Sequence, residues 1–295
     1  MKSGKAQQEE GLTASVRKWL LEQGFPLEMR VARTFKQAGF SVRQCVSYKD
    51  LSSGKAREID VVAEARYEFE DASAGLRLSF IIECKRAATK PWILLSTPEA
   101  QSAGYNIFGS SANDVGNALL SNMELIDLPP EGMLQGPSRS AYSVTVAHKQ
   151  ADKIDDAYSA CLAVVDALKG RGDIGTDFDS RFTSSGDLLR WAHITFPVIV
   201  IEGPLLDAHL DEAGDLLVSE VERGRIAWEI VQPGVPDTLI EIVREKELPD
   251  LLETLQQEVA AIKKACSLRP EILQEKSLAI KEELVKRFGR RTDSQ

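Results

Sequence analysis

Arg57-Glu58-Ile59-Asp60-Val61-Val62-Ala63 and Ser79-Phe80-Ile81-Ile82-Glu83-Cys84-Lys85-Arg86 decide how this chain is read. Each run is short and rich in β-branched or aromatic residues. Turn formers bound them: Ser52, Ser53 and Gly54 before the first, Ser73 and Gly75 before the second. This pattern predicts two buried strands. Taking an isolated carboxylate out of water costs several kcal/mol or more, on the order of the net stability of a whole domain. Asp60, Glu83 and Lys85 therefore need partners that justify their places in apolar strands. A divalent cation with a bound water is one such partner. Because side chains alternate along a strand, Glu83 and Lys85 point to the same face.

Upstream, Pro26 to Phe40 predicts a helix. Leu27, Val31, Phe35 and Ala38 form one apolar stripe at helical spacing, and Gly39 is a natural stop. Glu28 lies one residue, about 100° of rotation, from Leu27. It stands on the border of the stripe, within reach of the interior. The predicted order is helix 27–38, then strands 41–48, 57–65 and 76–86.

The arrangement Asp60…Glu83-Cys84-Lys85, with 22 residues between the two acids, resembles the active site of the PD-(D/E)XK nucleases. The likeness covers residues 25–95 and extends loosely to about 245 through alternating helices and strands. It implies a restriction-endonuclease-like α/β fold: a mixed central sheet flanked by helices. It also implies a metal-dependent nuclease, acting on DNA sooner than RNA. By the resemblance, Asp60 and Glu83 hold Mg²⁺ or Mn²⁺, with the backbone carbonyl of Cys84 as a third ligand. Glu28 completes the metal site, and Lys85 orients the attacking water or stabilises the transition state. The family usually shows a proline before its first acid; Ile59 stands there in this chain. A stand-alone member with a long insertion suggests defence against foreign DNA, phage defence included. The alternative is a nuclease-fold scaffold subunit whose site is idle.

The same residues also admit a structural reading. Asp60 and Lys85 would then bridge a hairpin, with Glu83 solvated at a sheet edge. Glu28 would be a first-turn glutamate at the positive end of a helix dipole. Four residues in the right order on the right elements favour the metal site over this reading. Weaker signals lie elsewhere. Gln101 and Tyr105 have the Gln-x-x-x-Tyr spacing of some exonucleases, but Pro98 and Gly104 favour a loop. His148, His193 and His209 fall in separate elements without ligand spacing, so no zinc site follows. Arg171-Gly172-Asp173 reads as a loop, and no Walker-type phosphate loop is present.

The chain has 295 residues, 43% hydrophobic content and a net charge of −9, enough apolar content for a substantial core. The acidity argues against a nonspecific nucleic-acid coat. Local basic clusters are the candidates for substrate contact: Lys85, Arg86 and Lys90 after the second strand, and Arg30, Arg33 and Lys36 along the helix. Cys45, Cys84, Cys161 and Cys266 lie far apart and read as reduced core thiols. With no signal-peptide core and no membrane-length apolar run, a cytoplasmic protein without membrane partners is expected.

Residues 12–23 predict an amphipathic helix through Leu12, Val16, Trp19 and Leu20. Residues 96–139, rich in Ser, Gly, Asn and Pro, read as a substrate- or partner-binding loop or an insertion. Strand-like Tyr142–His148, helix 152–169 and polar loop 170–187 follow. Next come strands Ile194–Ile201, Leu216–Val221, Arg225–Val231 and Leu239–Val243, which extend the sheet. The expected division is a nuclease-like domain, 1–248, and a C-terminal helical hairpin, 249–295. The hairpin carries Leu251, Leu252, Leu255, Val259, Ile262 and Cys266 on its first helix. Its two stripes suit packing on the sheet, or a homodimer or partner-subunit contact.

Overall fold

A computed structural model describes residues 2–50, 53–69, 74–87, 90–97, 111–136, 140–149, 155–170, 190–228 and 238–273. Two helices open the chain, α1 (Lys2–Gln23) and α2 (Phe25–Gln37). Strands β1 (Ser41–Lys49), β2 (Ala56–Phe69), β3 (Ala74–Arg86), β4 (Trp92–Ser96) and β5 (Ser111–Ala112) follow. Then come α3 (Asp114–Ser121), β6 (Ser140–Val146) and α4 (Asp156–Gly170). The last elements are β7 (Arg190–Glu202), β8 (Leu205–Leu210), β9 (Leu216–Glu220), β10 (Arg223–Trp228), β11 (Thr238–Arg244) and α5 (Leu248–Leu268).

The strands make one mixed sheet in the order β1-β2-β3-β7-β11-β10-β6-β4-β8-β9, with β5 against β7. β1, β2 and β3 form an antiparallel meander. β3 then runs parallel to β7 over its full length, from Ala74↔Arg190 to Arg86↔Glu202, and β7 runs parallel to β11. A strand flanked in this way is covered on both faces, so it reads as a continuous apolar run. In β3, Leu76, Leu78, Phe80, Ile81 and Ile82 are all buried.

On one face α2, α3 and α5 cover the sheet, and Phe80 sits at the centre. Its ring lies 5.2 Å from Phe35, 5.4 Å from Phe40 and 5.2 Å from Phe196 between centroids. On the other face α4 lays Cys161, Val164, Val165 and Leu168 over a layer that includes Ile81, Ile199, Ile201, Ile240 and Ile242. The expected α/β class, helical flanks and extended sheet are present.

Several expectations need correcting. Residues 111–136 are not an open loop: Asn113 caps α3 by accepting from the Gly116 amide at 2.8 Å, and Leu119, Leu120, Ile126, Met133 and Leu134 join the core. The α1 stripe is helical but faces solvent, with Leu12, Val16 and Trp19 exposed. Cys84, Cys161 and Cys266 are buried free thiols, whereas Cys45 is exposed. The first helix of the C-terminal segment, α5, buries Leu251, Leu252, Leu255, Val259, Ile262 and Cys266 in the same core as α2 and β3. Of the second, only a 3-10 turn, Pro270–Leu273, falls among the described residues. Among those residues no helix is long and apolar enough to cross a membrane.

Candidate metal centre

β2 and β3 pair from Phe69↔Ala74 as far as Val61↔Ile82, and there the ladder stops. One step further in the same register, Asp60 would face Glu83. The inner pair parts instead, although β1 still holds β2 (Gln44↔Val61, Val46↔Ile59) and β7 still holds β3. Asp60 fills the opening: its Oδ2 accepts a hydrogen bond from the Cys84 amide at 2.7 Å. The N–H and C=O of one residue lie along the same edge of an extended strand, so the Cys84 carbonyl also faces this gap. Cys45, opposite Asp60 on β1, has φ of 51°, so the distortion extends to the neighbouring strand.

Glu83 and Lys85 share a face of β3, as alternation requires. Glu83 is buried, 8% exposed, and Lys85 Nζ donates to its Oε1 at 2.6 Å. This departs from the structural reading of the sequence, in which Lys85 would bridge to Asp60 and Glu83 would be solvated. Glu28 enters from α2. Gly24 holds a left-handed φ of 88° before the helix, Pro26 suits its first turn, and Leu27 anchors that turn in the core. Glu28, one residue on, reaches the same region as Asp60 and Glu83.

The electrostatics place each of these groups within the field of the others. Glu28 is pushed up to about 7, first by burial and then by the charges of Asp60 and Glu83, with Lys85 opposing. Burial also raises Glu83, and Asp60 adds to it while Lys85 offsets part. Asp60 is raised by burial against the Cys84 hydrogen bond and Lys85. For Lys85, burial works against its charge, but Glu83, Asp60 and Asp156 outweigh it and raise it. Three carboxyl groups thus share one ammonium, and each resists ionising.

That charge deficit is what a divalent cation corrects. The donors fit a hard ion: carboxylate oxygens and a strand carbonyl. Among the described residues, neither Oδ1 of Asp60 nor Oε2 of Glu83 takes a protein hydrogen bond. The set is not drawn together around one point, for among the described residues no three His, Cys, Asp or Glu side chains are grouped to hold an ion. The Cys84 thiol is no donor here. It is buried on the core side and pushed well above its usual range, first by burial and then by Asp60, Glu28 and Glu83.

The other candidates separate. His193 is buried against Ser79, with its Nε2 3.0 Å from the hydroxyl. His209 Nδ1 lies 2.8 Å from Asp207 Oδ2, and the His148 carbonyl accepts from Lys90. Gln101, Tyr105 and Arg171-Gly172-Asp173 lie outside the described residues. The basic clusters are partly neutralised by acids: Arg30 binds Glu245 and Glu202, and Arg86 lies against Glu202. Glu202 and Glu245, which join the two clusters, had no signal in the sequence. Their place follows from a parallel register and a strand end that only the folded sheet defines. No protein-family model, curated protein or solved structure matches the chain.

Proposed function

We propose that this protein is a metal-dependent nuclease of restriction-endonuclease-like core, cytoplasmic, hydrolysing phosphodiester bonds in DNA in preference to RNA. The observation that carries the reading is the splay between β2 and β3. Asp60 occupies the opening, Glu83 and Lys85 are hydrogen-bonded beside it, and Glu28 is close enough to feel both acids. Asp60 and Glu83 would hold Mg²⁺ or Mn²⁺, with the Cys84 carbonyl, and Glu28 would complete the set. When bound, such an ion supplies charge neutralisation at the phosphate and a more acidic water.

The chain's own residues supply the rest. Lys85, kept cationic by Glu83, offers a compact positive charge for the attacking water or the extra charge of the transition state. Glu28, whose carboxyl is raised to about 7 in the metal-free site, would give up its proton as it joined the ligand set. Ile81, buried on the same face of β3 as Glu83, lowers the local dielectric beside that carboxylate, where its charge acts more strongly.

A second reading, an idle scaffold subunit, is favoured by the acidic surface of a chain with net charge −9. The two readings part in a cleavage assay. With Mg²⁺ or Mn²⁺ the wild type should nick or degrade labelled DNA, and Ca²⁺ should not replace them. Asp60→Ala, Glu83→Ala and Lys85→Ala should each abolish cleavage while circular dichroism stays unchanged. Wild-type cleavage by the Glu83 variant, or undiminished activity in excess chelator, would sink the catalytic assignment.

A further inference from the structure

Arg30 and Arg86 belong to different elements, and each follows a candidate catalytic residue in sequence with its side chain turned to another side of the element. Arg30 lies two residues beyond Glu28 on α2, and Arg86 follows Lys85 at the end of β3. Both reach one carboxylate. Arg30 Nη2 donates to Glu202 Oε1 at 3.0 Å, and Arg86 Nε lies 3.4 Å from Glu202 Oε2. Glu202 arrives there because the β3–β7 register sets it opposite Arg86. A carboxylate with one guanidinium on each oxygen has the form in which two arginines take the two free oxygens of a phosphodiester.

Both arginines are anchored independently of Glu202. Arg30 also binds Glu245 through Nε at 2.5 Å and Nη2 at 2.8 Å. Arg86 Nη1 donates to the Leu21 carbonyl, at the end of α1, at 2.8 Å. These contacts keep the two forks aimed at the same point if Glu202 leaves. The Glu202 side chain is 41% exposed, and among the described residues its carboxylate bonds only to these arginines. Exposed ion pairs of this kind are weak, so a phosphate competes with the carboxylate on favourable ground.

We propose that Arg30 and Arg86 form a clamp for a backbone phosphate of the nucleic acid, with Glu202 standing in for that phosphate in the free protein. The clamp rests on the nuclease reading of the candidate site. It gives that site a substrate contact on a chain whose overall charge repels nucleic acid.

The test is binding of fluorescein-labelled DNA, single- and double-stranded in turn, by anisotropy in EDTA over a salt series. Each lost phosphate contact flattens the slope of log K against log salt by about 0.9 on duplex and about 0.7 on single strands. Arg30→Ala and Arg86→Ala should each weaken binding and flatten the slope by that amount. Arg30→Lys and Arg86→Lys should restore the slope, because charge sets it. Glu202→Gln removes the competitor and should tighten binding, about two- to fivefold. Unaltered affinity and slope in both alanine variants overturns the clamp, including the case where only the melting temperature falls, as a structural network predicts. Failure of the wild type to bind either DNA also overturns it. Cleavage of the same DNA with Mg²⁺ judges the nuclease reading separately. The expected slopes without cleavage keep the clamp and sink the nuclease; cleavage with unaltered slopes does the reverse.

Discussion

Glu28→Gln should stabilise the metal-free protein at pH 8.5 and leave it unchanged at pH 4. Glu28 rises from 4.5 to about 7 in the fold, first because it is partly buried and then because Asp60 and Glu83 repel its charge. The sign follows from linkage: a carboxyl whose folded value is raised favours the folded state while protonated. That contribution is complete below about 4.5 and is lost as pH rises through about 7. Taken at full weight, the rise corresponds to about 3 kcal/mol. Glu28 is only half-buried, so solvent screening reduces this to about 1–2 kcal/mol. In a protein of this size that is roughly 2–6 °C in Tm. Glutamine keeps the shape and removes the charge. The assay is thermal unfolding of wild type and variant in EDTA from pH 4 to 9. The difference should open between pH 5 and 8, and titratable groups elsewhere cancel in the subtraction. Mg²⁺ or Mn²⁺ should then reverse the order, because the wild type gains a ligand that the variant lacks. A variant less stable than wild type at pH 8.5, or a difference flat across pH, refutes the convergence of Glu28 with Asp60 and Glu83.

Two predictions concern the scaffold. Gly132→Ala should destabilise by about 2–3 kcal/mol in urea, since a methyl group there would lie 2.0 Å from Glu258 Oε1 and break its bonds to the Met133 and Leu134 amides; an unchanged midpoint would mean that this loop does not hold the α5 helix. Truncation after Glu247 removes the buried Leu251, Leu252, Leu255, Val259 and Ile262 and bares the sheet face beneath them. Light scattering should show aggregation, and a soluble folded monomer would overturn the role given to α5.

Periodicity made most of the sheet legible. The runs through Ile59 and Ile81 became β2 and β3 because their β-branched residues have no competing helical pattern. The α4 and α5 stripes were read correctly because every apolar position on them is buried. Composition misled in 96–139: Ser, Gly and Asn concealed a helix whose Asn113 cap and Ala118-Leu119-Leu120 run were visible signals. The strands β4 and β8 escaped for want of pattern: Trp92-Ile93-Leu94-Leu95 is apolar throughout, and Leu205–Leu210 mixes Asp207 and His209 into its run without a clean alternation. For α1 the helix was legible and its surroundings were not. A stripe through Leu12, Val16 and Trp19 states that one face is apolar, not that anything lies against it.

The candidate site stood out for a different reason: charge in an apolar strand is improbable unless something offsets it. That argument located Asp60, Glu83 and Lys85 without any geometry, but it could not say how a sheet accommodates them. The fold answers by ending one ladder early. Had β2 and β3 stayed paired beyond Val61↔Ile82, Asp60 and Glu83 would stand directly opposite, and like charges at that spacing are destabilising. Parting the strands lets Asp60 accept from the Cys84 amide, which would otherwise lack its ladder partner, and lets Glu83 pair with Lys85 along its own strand. Each acid is thus held by a neighbour in the strand order, yet burial and mutual repulsion still raise both, and Glu28 with them. The protein therefore holds three carboxyl groups that Lys85 only partly balances, at an opening in the sheet. That residual imbalance is the physical basis on which we propose a divalent ion and a phosphate at this opening.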